Sequence, residues 1–110
     1  MLLIDTHAHL YYDNMYENLS EVLSIAESNN VKKTICIGTD LGTSLKSVEI
    51  AEKYENVFAT VGIHPHDSKD VPNDYLIELK KLSKSKKVVA IGEIGIDNYR
   101  NHSPQDIQKK

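Results

Sequence analysis

Residues Val88 to Asp97 read VVAIGEIGID. The first four are apolar and mostly β-branched. They stop at Gly92 and give way at once to the carboxylate of Glu93. An uninterrupted run of this kind reads as a strand covered on both faces, which is the habit of parallel sheets. A carboxylate directly behind such a run is costly unless it is paired or binds a cation. The stretch therefore predicts a buried parallel strand with chemistry at its C-terminal end.

The same order recurs upstream. Thr34–Ile37 ends at Gly38 ahead of Thr39 and Asp40. Val57–Val61 ends at Gly62 ahead of His64-Pro65-His66, and Leu2-Leu3-Ile4 leads into Asp5-Thr6-His7. Helical spacing fills the gaps. Leu19, Val22, Leu23 and Ala26 repeat at i, i+3, i+4, i+7, with a stop at Asn29-Asn30. Leu45, Val48 and Ala51 follow Thr43 or Ser44 as N-cap, and Leu76, Leu79 and Leu82 follow Pro72-Asn73-Asp74. A further helix starts near Ser103-Pro104. The order βαβαβαβ predicts an α/β fold of parallel βα units joined by right-handed crossovers, one domain over residues 1–110. Ligand sites in such folds lie beyond the C-terminal ends of the strands, where these polar groups collect.

Composition narrows the functional classes. A net charge of −3 gives no electrostatic case for general affinity to nucleic acid or membrane. A phosphate substrate would need a local attractor, such as a bound metal ion. The single cysteine, Cys36, lies in an apolar run and reads as a small buried hydrophobe, with no internal disulfide available. Three apolar residues before Asp5 are too few for a signal segment and no run spans a bilayer, so the expected compartment is the cytoplasm. Lys80, Lys81 and Lys84 read as the solvated face of the third helix, where cations suit the helix dipole.

The histidines carry the strongest chemical signal. Side chains two apart on a strand share a face, so His7 and His9 present both imidazoles to one point. Neutral imidazole suits several divalent ions. Asp5 has the same parity and is placed to orient an imidazole. HxH alone is a weak pattern, but GIHPH adds His64 and His66 at the same sheet edge. Four of the five histidines thus fall in two pairs, which favours metal or phosphate contact over chance placement. In a barrel the ends of the first and fourth strands open onto one mouth, so Glu93 can meet His7 and His9 and bridge two divalent ions. Asp97 reads equally as a turn residue or a substrate contact. His102, in NHSP, reads as an exposed loop residue without a role.

Taken together, DTHAHL, GIHPH and GEIGID followed by NYRNHSPQDIQ resemble the TatD family, metal-dependent deoxyribonucleases of TIM-barrel fold. The resemblance runs along the whole chain in family order. It implies that these residues form the N-terminal half of a (β/α)8 barrel with a dinuclear site (Zn, Mg or Mn). It implies hydrolysis of DNA phosphodiester bonds, often from a 3′ end. By motif, His7 and His9 correspond to ligands of one metal and Glu93 to the bridging, catalytic carboxylate. His64, His66 and Asp97 correspond to residues beside the substrate. Asn98 departs from the aromatic residue usual after that aspartate, which bears on local packing rather than on the metal. The family's later ligands, two histidines and an aspartate, have no position in these 110 residues, since a full barrel needs roughly 200 to 250. One alternative is a non-catalytic half-barrel that self-associates through its open strand edges. Another is a different HxH barrel phosphoesterase, against which GIHPH and GEIGID both argue.

Overall fold

The computed structural model describes all 110 residues. Four strands, β1 (Leu3–Ala8), β2 (Val31–Ile37), β3 (Val57–Val61) and β4 (Val88–Ile91), form one sheet in the order β1-β2-β3-β4. All three pairings are parallel, with Asp5 beside Thr34, Cys36 beside Ala59 and Val61 beside Ile91. Short helices α1 (Asp13–Tyr16) and α2 (Leu19–Ser28) link β1 to β2, and α3 (Leu41–Lys53) links β2 to β3. A 3-10 helix (Pro65–Asp70) and α4 (Tyr75–Leu82) precede β4, and α5 (Gln105–Gln108) lies near the C-terminus. The predicted alternation of strand and helix is observed throughout.

The core lies between the two central strands and their helices. Cys36, Val57, Ala59 and Val61 have no exposed surface, and Leu23, Val48, Ile50 and Ala51 pack onto the same cluster. The thiol of Cys36 donates toward Ser47 Oγ, and burial raises its pKa, so it is the inert small hydrophobe expected. The expectation of strands buried on both faces holds for β2 and β3 only. Leu3, Ile4, Val89 and Ile91 on the edge strands are all exposed. Each edge strand has a neighbour on one side only, and α3 covers the centre of the sheet.

Two local differences have simple causes. The N-cap of α3 is Asp40, not Thr43 or Ser44. Its carboxylate accepts from the Thr43 backbone N–H at 2.7 Å, while Thr43 Oγ1 accepts from Asp40 N–H at 3.0 Å, a reciprocal capping box. The one-turn α1 and the six-residue 3-10 helix lie outside the expected elements, because neither is long enough to show an apolar period.

Glycines end the inner strands for steric reasons. A Cβ on Gly62 would lie 2.0 Å from the Gly92 carbonyl oxygen, and one on Gly38 would lie 2.4 Å from Ser44 Oγ. Ser44, fully buried, fills that gap and bridges to the N–H and carbonyl of Gly62. These close approaches bring the loops after β2, β3 and β4 together at one edge of the sheet.

Candidate metal centre

His7 lies in β1, His9 just past its end, and Glu93 two residues past β4. β1 and β4 are the outer strands and share no hydrogen bonds. Sheet curvature nevertheless places Glu93 Oε2 3.5 Å from His7 Nε2 and 4.0 Å from His9 Nε2. The three ligand atoms all lie within 4.8 Å of one another, and the two imidazoles meet edge to face. Parity along the strand and the Gly-Glu step, the two signals in the sequence, have produced this convergence.

Two features mark Glu93 as more than a loop carboxylate. Its φ is 49°, a left-handed conformation that costs a non-glycine residue about 1–2 kcal/mol. Its Oε2 is buried and has no hydrogen-bond partner. An orphaned carboxylate oxygen facing two imidazole nitrogens beyond hydrogen-bonding distance is a donor set that fits a divalent cation.

His9 is held from behind. Its Nδ1 lies 2.8 Å from Tyr11 Oη and 3.1 Å from the Ile37 carbonyl, and Tyr12 stacks on its ring. Tyr11 is buried, its hydroxyl donates to the Ile37 carbonyl, and desolvation lifts its pKa to about 12. Asp5 does not orient an imidazole. Its carboxylate accepts the backbone N–H of His7 at 3.0 Å, because the strand turns that side chain onto its own backbone.

A second cluster forms after β3. The His64 N–H donates to the Thr39 carbonyl at 2.7 Å, and His64 Nδ1 accepts the His66 N–H at 3.1 Å. His66 Nε2 hydrogen-bonds Asp97 Oδ2. Asp97 Oδ1 accepts the N–H groups of Tyr99 and Arg100, so Asp97 is a turn residue and a histidine partner at once. The Arg100 N–H, then His66 and the Tyr99 N–H, hold the Asp97 carboxyl well below the usual carboxylate range. Behind it, Gln105 and Gln108 bond the Asp97 backbone, and fully buried Ser103 donates to the His66 carbonyl. His102 is exposed as expected, yet its ring packs edge-on against His66 at 4.6 Å.

The chain matches the family described as TatD related DNase over residues 4–110. It is similar to the metal-dependent hydrolase YabD of Bacillus subtilis (strain 168), 39% identical over 109 residues, covering 99% of this chain and 43% of the relative. It is also similar to the 3′-5′ ssDNA/RNA exonuclease TatD of Cronobacter sakazakii, 36% identical over 83 residues, covering 76% of this chain and 32% of that protein. The crystal structure of a TatD family hydrolase from Entamoeba histolytica superposes with a TM-score of 0.88 at 33% identity, covering 99% of this chain and 42% of that one. The chain thus spans well under half the length of these relatives, and its four βα units correspond to the N-terminal half of a barrel.

Proposed function

The chain belongs to the TatD family, and from that premise we propose that it carries the N-terminal share of a divalent-metal site that hydrolyses DNA phosphodiester bonds from a 3′ end. The observation that supports this is the convergence of His7, His9 and the orphaned Oε2 of Glu93. In this reading His7 and His9 would hold a divalent ion (Zn, Mg or Mn), and Glu93 would be the carboxylate shared with a second one. The ions, when bound, supply Lewis acidity toward a phosphoryl oxygen.

The remaining residues handle substrate. His64 accepts at Nδ1, so its neutral ring carries the proton on Nε2 and offers it to a phosphate oxygen. His66 directs Nε2 at the ionised Asp97, which leaves Nδ1 as the ring nitrogen free to contact substrate. The neighbouring rings of His64 and His102 fix its plane.

The test is calorimetric titration of the chain with Zn, Mn and Mg. We expect binding that falls at least tenfold in His7→Ala and in Glu93→Gln. Absence of binding, or wild-type affinity in both variants, would overturn the reading. Efficient cleavage of 3′-labelled single-stranded DNA is not expected from these 110 residues, because the resemblance places further ligands outside them. Turnover that Glu93→Gln abolishes would contradict that expectation.

A further inference from the structure

Tyr11 is not part of any motif quoted above, yet it is the side chain bonded to the rear nitrogen of His9. Three polar atoms form a closed triangle there. Tyr11 Oη lies 2.8 Å from the Ile37 carbonyl oxygen and 2.8 Å from His9 Nδ1, and the carbonyl lies 3.1 Å from the same nitrogen. Only two of these atoms can carry a proton, since a carbonyl oxygen accepts and never donates.

Two arrangements are available for a neutral imidazole. If the Tyr11 hydroxyl donated to His9 Nδ1, the carbonyl would receive no proton from the triangle and would face the lone pairs of two buried atoms. If instead the hydroxyl donates to the Ile37 carbonyl, His9 Nδ1–H donates to Tyr11 Oη and, more weakly, to the carbonyl. Every atom of the triangle is then satisfied, as buried polar groups require. The second arrangement fixes the remaining lone pair of His9 on Nε2, the nitrogen that faces Glu93 Oε2.

We propose that Tyr11 is a positioning residue: with the Ile37 carbonyl it locks His9 in the Nδ1–H tautomer and so aims the Nε2 lone pair at the metal site. Tyr12 supports the same ring from its face, with centroids 5.3 Å apart and planes inclined by 24°. Ring orientation is thus set by one hydrogen-bonded edge and one stacked face. The carboxylate that commonly performs this service for ligating histidines is replaced by a phenol relaying to a strand carbonyl. Because the phenol is neutral, it orients the ring without adding negative charge to the site.

The inference rests on the proposed metal reading for its purpose, but its geometry is tested without metal. Long-range 1H–15N NMR of the metal-free chain reads the His9 tautomer directly. The expected result is a single Nδ1–H form in the wild type. In Tyr11→Phe, whose hydroxyl alone is missing, the Ile37 carbonyl 3.1 Å away is the remaining acceptor, so the ring keeps Nδ1–H but turns onto the carbonyl, and the chemical shift of that proton changes. Zinc affinity, measured in parallel, should fall by about ten- to hundredfold in the variant. An Nε2–H tautomer in the wild type overturns the proposal whether or not the variant folds. So does a folded Tyr11→Phe chain with an unchanged Nδ1–H shift and unchanged affinity. If neither chain binds zinc, the metal reading fails, while the wild-type tautomer and the Nδ1–H shift between the two chains still decide whether Tyr11 holds His9.

Discussion

Both carboxylate oxygens of Asp97 are engaged, one by His66 and the other by two backbone N–H groups. These partners favour the charged form, so the folded-state pKa lies below the unfolded value near 3.9. The stability this contributes is complete above that unfolded value and is lost as pH falls toward the depressed folded one. Asp97→Asn has no carboxyl to titrate. Its urea midpoint should therefore trail the wild type at pH 7, with the gap closing progressively below about pH 4. A gap that stays constant from pH 7 down to pH 2 would show that Asp97 is not the source. At this scale the sequence marks each of His7, His9, His64, His66, Glu93 and Asp97 by its place behind an apolar run. It does not show who touches whom. The His66–Asp97 bond joins residues 31 positions apart, and Tyr11 depends on a carbonyl 26 positions away. No local pattern encodes such pairings. Asp5 misleads because strand parity says which face a side chain takes, not whether it folds back on its own backbone.

Among the elements, α3 has the best-defined start. It lies across β2 and β3, and its first turn sets the loop whose Thr39 carbonyl receives His64 N–H. Removing the cap with Asp40→Ala should cost about 1 kcal/mol of unfolding free energy, measured by urea denaturation, and Thr43→Ala should add little once Asp40 is gone. Strictly additive losses would show that the two residues do not act as one box. The helix itself is legible from Leu45, Val48 and Ala51. Its boundary is not, because Asp40 follows a strand and glycine as the chemical residues do. The same location serves two purposes, and only the hydrogen bonds separate them.

The whole molecule is open on two sides. Its radius of gyration, 14.8 Å, exceeds the value of about 13 Å expected for a compact domain of this length. Only 19 of 110 residues are buried, and the exposed apolar side chains of Leu3, Ile4, Val89 and Ile91 lie on the two strands that lack an outer neighbour. Bare edges of this kind pair with other chains. A polypeptide of these residues should therefore self-associate in sedimentation velocity as its concentration rises, and Leu3→Lys with Val89→Lys should return it to monomer. A wild-type monomer at high concentration would refute this. Alternation of runs and periods made the parallel order legible; the open edges of the outer strands followed only from the incomplete barrel that the resemblance implies, because their apolar runs read the same as those of the core. The site spans this open arc from first strand to last, with no ladder closing the gap beneath it. His7, His9 and Glu93 are set like the jaws of a caliper across that opening. Any splaying of the strands would widen those jaws, so if the proposed divalent ion binds there, its dissociation constant would serve as a strain gauge for sheet curvature.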